Sequence, residues 1–468
     1  MSEEQKVLIG LEIHASLDTK SKLFCSCSTA PTDAPNSQTC VTCLGMPGAK
    51  PVLNRKAVEH GVKVGLALNC EISKDFFFSR KTYFYPDMAT NYQITQYEVP
   101  LAKNGFVLLP SGKKIRIKRT HLEWDPASLV HPSGMGASNY VLIDYNRSDS
   151  PLIEIVTEPD ISSPAEAREF LGAMENILNY LRVLKPNTTL KADCNISIFP
   201  HERVEIKNVS GFAAAEKALS YELARQKQDL SNGKKVEQHT RAFNAESGIT
   251  VALRKKETED DYGYIFDPDL VKVSLSDKEI FAIKAKMPEL PEIRAQRYQQ
   301  QFKLSAYEAR VLCSELELAK LFEDIVYSGG NSIATSKLLT RELLAILNHD
   351  SLSFKDIKVT SNALLELIRL LDSAKVSDKN AKAAMINYIS GDKSEPKSFL
   401  EKGGMLISET IDVDAVIVKV LAANEKAVTD YKGGNQKTFN FLAGLVMRET
   451  KGTVSPQKVQ DLLKQRLG

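Results

Sequence analysis

Tryptophan, long apolar runs and net charge are all scarce in this chain. Trp124 is the sole tryptophan among 468 residues. No stretch is apolar enough to span a bilayer, and Met1-Ser-Glu-Glu-Gln-Lys6 lacks the basic lead and apolar core of a signal peptide, so a cytoplasmic location is expected. Basic and acidic side chains nearly cancel, 61 against 59 for a formal charge of +2. That balance excludes a chain that holds polyanions by bulk charge and leaves nucleic-acid contact to local basic faces. Seven cysteines, an odd number with Cys70, Cys194 and Cys313 scattered, do not make a secreted disulfide framework. The scattered three are expected in cores. A Gly-x-x-x-x-Gly-Lys-Ser/Thr phosphate loop is missing too, since Gly433-Gly434-Asn-Gln-Lys437-Thr438 has the wrong spacing.

Present instead are two groups of metal-ligating residues before residue 50. Cys25-Ser-Cys27 and Cys40-Val-Thr-Cys43 carry thiols at spacings that suit a closed tetrahedral zinc site, with reduced, unliganded cysteines as the alternative. In Gly10-Leu-Glu12-Ile-His14, a carboxylate and an imidazole at alternate strand positions suit a harder cation, or simply an exposed strand face.

A chain of this length is expected to hold about three domains, and its pattern changes accordingly. Up to residue 286 it reads as α+β. Strands are expected at 7–13, 115–120, 140–143, 152–156, 190–198, 204–206 and 250–253, with a helix over 163–184 opened by a Ser163/Glu166 capping box. Residues 287–405 read as helical, over 306–326, 332–347, 361–371 and 379–388, loosening around 391–404. Residues 406–468 read as a small tail domain of three helices, the last started by Ser455-Pro456.

Strand alternation sorts the polar residues. Asp193, Asn195 and Ser197 share one face, opposite Ala192, Cys194 and Ile196. Arg203, Glu205 and Lys207 likewise oppose Val204 and Ile206. An ordinary solvated sheet face accounts for either strand alone. Glu154 differs, because in Leu152-Ile-Glu154-Ile-Val156 a carboxylate sits among aliphatic neighbours, where its charge is costly unless paired or bound to a cation.

Gly10-Leu-Glu-Ile-His14, Tyr83-Phe-Tyr-Pro-Asp87, Asn91-Tyr-Gln-Ile-Thr-Gln-Tyr97, His121-Leu-Glu123, Asp144-Tyr-Asn-Arg147, Pro151 through Asp160, and Arg203-Val-Glu-Ile-Lys-Asn208 together resemble the B subunit of the tRNA-dependent amidotransferase GatCAB. The resemblance continues through Tyr431-Lys-Gly-Gly434, Phe441-Leu-Ala-Gly444 and Met447 to Gly452. It implies a glutamine-synthetase-like antiparallel-sheet cradle, then an all-helical domain and a tRNA-contacting tail. It also implies that ATP phosphorylates the side-chain carboxylate of Asp or Glu on mischarged tRNA(Asn) or tRNA(Gln), after which ammonia displaces phosphate. Divalent cations are required to bring two anions together, and oxygen ligands suit magnesium.

Carried over by position, the resemblance assigns Glu12, His14, Glu123, Glu154, Asp193 and Glu205 to the magnesium region. His14 is the odd member, better suited to a ligating water or a phosphate. Lys81, Arg147 and Lys207 lie in matching motifs and suit an electrostatic clamp on the transferred phosphate, with structural salt bridges as the alternative for each. Lys432, Gly433, Gly434, Lys437, Arg448 and Lys451 suit phosphate-backbone contact with tRNA, against a plain solvated helix surface. No amidase-like Gly-Ser-Ser-Gly segment is present, so ammonia is expected from a partner. In the family's heterotrimer that partner is the amidase, or A, subunit, and a small C subunit completes the assembly. The chain departs from the family at Trp124, where a second acid is usual, and at Gly263 and Ile265, where Arg and a Phe-Pro junction are usual.

Overall fold

The structure is a computed structural model that describes residues 6–134, 138–255, 263–354, 356–407, 412–433, 435, 437–450, 454 and 456–467. The chain forms two compact units, Met1–Leu290 and Pro291–Gly468.

The first unit is α+β, built on a nine-stranded sheet. Its strands run in the order Ile249–Lys255, His239–Asn244, Val204–Ser210, Lys191–Ile198, Val7–Ser16, Ser150–Thr157, Lys114–Asp125, Ala102–Leu108 and Glu71–Ile72. Neighbours are antiparallel, with the exception of Val204–Ser210 beside His239–Asn244, which is parallel. This pair makes the expected antiparallel sheet a mixed one at a single junction. The helix Phe212–Ser231 lies between those two strands in sequence and carries the chain back to the end it left, which is the connection a parallel pair needs.

One sheet face builds the core. Ile9, Leu11, Ile13 and Ala15 alternate inward and join Val62 and Val64 of the helix Arg55–Ala67 and Phe170 and Met174 of the helix Pro164–Tyr180. Each of these larger apolar side chains, fully buried, stabilises by about 1.5–3 kcal/mol. The helix Arg55–Ala67 can lie this close because of its glycines: a Cβ on Gly65 would meet Ile72 Cδ1 at 2.7 Å and Ala102 Cβ at 2.8 Å. At the start of Pro164–Tyr180, Ser163 Oγ accepts the Glu166 N–H at 3.2 Å. The Glu166 carboxylate, however, takes the Ser162 N–H at 2.8 Å and pairs with Lys113, so the reciprocal half of the expected capping box is displaced by one residue.

Helices make the second unit, and none of its described residues is in a strand. The helix expected over 306–326 is two, Ala306–Leu312 and Leu316–Tyr327, and the one over 332–347 contains a wide π-helical turn at Leu338–Leu343. Pro396–Lys402 is helical inside the passage expected to be loose. Beyond Asp412 there are four helices among the described residues, not three: Val413–Ala422, Glu425–Lys432, Lys437–Glu449 and Pro456–Leu467. The first two share one apolar phase, which in sequence looks like a single helix, but the chain breaks at Ala423-Asn424. Two apolar clusters form, one spanning Ala295 to Leu400 and the other Val413 to Leu467. Cys70, Cys194 and Cys313 are buried. Among the described residues, no helix is long and apolar enough to cross a membrane.

Candidate active site

The other face of the central strands is polar, and strand register brings its residues together. His14 stands opposite Glu154, and Glu154 opposite His121 on the next strand. Glu12 stands opposite Asp193, and Asn195 opposite Glu205. The six expected ligands consequently sort into two triads, His14 with Glu123 and Glu154, and Glu12 with Asp193 and Glu205. In each triad one donor atom per residue lies within 4.8 Å of the others.

In the first triad, His14 Nε2 is 3.4 Å from Glu154 Oε2 and 3.8 Å from Glu123 Oε1. Burial opposes charge on Glu154, but His121, His14 and Lys81 outweigh it and hold the carboxyl well below the usual range. Burial likewise opposes charge on His14, yet contact with Glu154 and the charges of Glu123 and Asp193 push it up to about 9. In the second triad, Asn195 Nδ2 donates to Glu12 Oε1 at 3.1 Å, and burial together with Glu154 raises the Glu12 carboxyl. Lys207 Nζ reaches Asp193 at 2.8 Å and Glu205 at 3.0 Å, and these acids hold it above the usual ammonium range against burial.

All three expected cations line the same cleft as the acids other than Glu205, a space of about 350 Å³ bounded by Glu12, His14, Lys81, Glu123, Arg147, Glu154, Asp193 and Lys207 among others. Lys81 is set there by its strand Ser79–Thr82, whose preceding residue Arg80 points away to pair with Asp267 at 3.0 Å and Asp269 at 2.9 Å. Arg147 is held by its donors: Nε to Pro126 O and Nη2 to Ala127 O, both 2.8 Å, with Asp125 3.5 Å away. The donor set fits divalent cations. Carboxylates dominate both triads, and in the second an ammonium already sits where positive charge is needed.

His121 joins this group without being among the expected ligands. Its Nε2 lies 3.8 Å from Glu123 and 3.6 Å from Glu154, and its buried Nδ1 has no hydrogen-bond partner among the described residues. The signal for it is in His121-Leu-Glu123, because residues two apart on a strand share a face.

The four thiols also converge. Cys25, Cys27, Cys40 and Cys43 bring their sulfurs within 4.8 Å of one another, and Cys40 and Cys43 Sγ are 3.9 Å apart. Thiolates about 2.3 Å from a tetrahedral zinc stand roughly 3.8 Å apart, so the residues fit the ion. Contact with Cys25 lowers the Cys43 thiol to about 5 despite burial, with Lys22, itself fully buried, adding its charge. Residues 28–39, between the cysteine pairs, reach toward Arg147. Asn36 Nδ2 donates to Ile143 O at 3.0 Å, its Oδ1 accepts the Tyr145 N–H at 2.7 Å, and Asn146 Nδ2 donates to Ala34 O at 2.8 Å. Ser148 Oγ then donates to Cys43 O at 3.1 Å.

In the tail, Lys432, Gly433, Lys437 and Arg448 are exposed. Lys437, Phe441, Gly444 and Arg448 share one solvent face of the helix Lys437–Glu449, at spacings of four, three and four. Gly434 and Lys451 lie outside the described residues, as do residues 256–262 of the divergent motif. Tyr264, just after that motif, stacks on Tyr97 at 4.0 Å between ring centroids.

A mixed sheet whose polar face gathers two carboxylate-rich triads beside a cleft lined by three cations has the donor set that suits cations next to an anionic group. The particular kind follows from sequence. Residues 7–281 match the GatB/GatE catalytic domain and residues 320–467 the GatB domain. The chain is 39% identical to the B subunit of the aspartyl/glutamyl-tRNA(Asn/Gln) amidotransferase of Carboxydothermus hydrogenoformans, over 99% of both chains. Proteins of the same name in Saccharolobus solfataricus and Sulfolobus acidocaldarius are 42% and 41% identical, over 99% of this chain and 99% and 100% of theirs. The chain belongs to the GatB family.

Proposed function

We propose that this chain is the B subunit of a tRNA-dependent amidotransferase of the cytoplasm, converting Asp or Glu on mischarged tRNA(Asn) or tRNA(Gln) to the amide. It would use ATP and ammonia, the ammonia coming from an amidase partner, the A subunit, in a heterotrimer with the small C subunit. The observation that carries this reading is the sorting of six ligand-type side chains into two triads, five of whose members line one cleft together with Lys81, Arg147 and Lys207 while Glu205 lies buried behind it. His14, Glu123 and Glu154 would hold one magnesium ion, and Glu12, Asp193 and Glu205 the other. Bound there, the ions supply the positive charge that lets a nucleotide phosphate approach a carboxylate.

The chain's own residues then have distinct tasks. Lys81 and Arg147 place fixed positive charge where the transferred phosphoryl group gathers negative charge, an arrangement that costs about 10²–10³ in rate when one such donor is removed. Lys207 neutralises Asp193 and Glu205. The cysteine lobe, in which Cys25, Cys27, Cys40 and Cys43 would hold a zinc ion as a structural staple, holds the Asp144–Ser148 stretch and so aims Arg147. The exposed face Lys437 to Arg448, with Lys432 and Gly433 before it, supports backbone contact with tRNA, and we assign Gly434 and Lys451 to the same surface from sequence alone.

The decisive experiment mixes the chain with its A and C partners, ATP and each mischarged tRNA, and follows amide formation. Wild type is expected to amidate. Glu154→Gln is expected to lose at least about 100-fold, since it removes a charge balanced by two imidazoles. Retained activity in that variant would remove Glu154 from the site.

A further inference from the structure

Two large aromatic side chains stand in water at the rim of the cleft. Phe84 is 79% exposed and Tyr85 56%. They form the tip of a short excursion whose two ends both line the cleft, Lys81 on the way out and Asp87 on the way back. The excursion is pinned rather than loose. The Tyr83 N–H donates to Asn91 O at 3.2 Å, the Met88 N–H to Tyr85 O at 3.0 Å, the Ala127 N–H to Asp87 O at 3.0 Å, and Tyr145 Oη to Pro86 O at 3.2 Å. The last two bonds tie it to Ala127, whose carbonyl anchors Arg147, and to Tyr145, two residues before Arg147. Among the described residues neither ring joins the apolar core, although the neighbouring Tyr83 packs against it.

We propose that Phe84 and Tyr85 are the stacking platform for the 3′-terminal base of the tRNA. The inference rests on the functional reading above and adds a binding subsite to it. Its main support is the shape of the substrate. In an aspartyl or glutamyl ester the reacting carboxyl carbon is four or five bonds from the ester oxygen, roughly 5–6 Å end to end for an extended zigzag of bonds of about 1.5 Å. When that carbon reaches the acid triads, the ribose must stand at the cleft mouth and its base just outside, where these rings are. Stacking uses the π-face that every base has and contributes about 1–3 kcal/mol per base. It therefore suits a site that reads the terminal adenine common to tRNA(Asn) and tRNA(Gln).

The test uses the assembled complex with A and C partners. For Phe84→Ala/Tyr85→Ala the KM for mischarged tRNA is expected to rise about 5- to 150-fold, the range that corresponds to stacking one base, with little change in kcat, while Phe84→Trp keeps the wild-type KM. A mischarged tRNA whose terminal adenine is replaced by an abasic ribose is expected to show the same rise with wild type and no further rise with the double variant. With 2-aminopurine as the terminal base, wild type is expected to quench its fluorescence on binding and the double variant not to. An unchanged KM and unchanged quenching would overturn the platform while leaving the amidotransferase reading intact. Weakened recovery of the amidase partner with KM unaltered would also overturn it, by showing that the rings dock a protein. Failure of wild type to amidate any mischarged tRNA would instead overturn the reading on which the platform rests.

Discussion

Glu154 shows how much one position reveals through its immediate neighbours. A carboxylate flanked by Ile153 and Ile155 must find positive charge or be protonated, and it lies between His14 and His121, with Lys81 contributing. His121 is harder to pick out, because a sequence shows a residue's face and not what lies across the next strand. His60 gives a prediction independent of the cleft. Its ring is buried with Nε2 2.9 Å from Asp18 O, Nδ1 lacks a partner among the described residues, and burial lowers it to about 4. Between that value and the ordinary one near 6.5, the unfolded chain takes up a proton that the folded chain refuses. Stability is therefore lost as pH falls through this window, by up to about 1.4 kcal/mol per pH unit. Denaturant midpoints at pH 7 and pH 4.5 should differ less in His60→Asn than in wild type. An equal drop in both would exclude His60 as the source.

At the scale of elements, the cysteine lobe and the Asp144–Ser148 stretch behave as one piece. Asn36 links them from a left-handed backbone, φ 56°, with side-chain bonds to Ile143 O and the Tyr145 N–H. Asn36→Ala loses both bonds and strains the turn, and because the residue is exposed the expected cost is about 1 kcal/mol. Amidation should fall alongside, since Arg147 is aimed from the same stretch. Asn36→Gly, which tolerates that backbone, should keep more stability than Asn36→Ala; the reverse order would argue against a conformational role. Cys40→Ser should release zinc, read by a chromophoric chelator, and lower the melting temperature. A variant that keeps its zinc content would place the fourth ligand elsewhere. The parallel strand pair belongs to this scale also. The polar alternation of Arg203 to Lys207 is legible in sequence, but strand direction depends on which end the Phe212–Ser231 crossover reaches, and no local pattern encodes that.

For the whole molecule, near-neutral charge means that tRNA affinity must come from placement. Removing residues beyond Asp412 deletes the cluster Val413–Leu467 with its basic helix face. A filter assay should then show weaker tRNA binding and a shallower salt dependence, while zinc content of the remainder stays the same. Full affinity in the truncated protein would move the tRNA contact to the catalytic unit. That unit has a core of its own, from Ile9 to Leu270, so a chain ending at Leu290 is expected to melt cooperatively. A non-cooperative melt would mean that it depends on the helical unit.

Much of this protein is present in local order. The alternation of Glu12 with His14 and of Asp193 with Asn195, the paired cysteines and the change from strand to helix period after residue 286 follow from two-residue and 3.6-residue geometry, which any short segment carries. What only tertiary structure decided was association: which acids form which triad, that His121 joins them, that Lys207 lies across Asp193 and Glu205, and that Phe84 and Tyr85 stand at the mouth. Those outcomes depend on which strands become neighbours and in what register, for Glu12 and His14 with strands more than a hundred residues away, and register is set by packing the whole buried face at once.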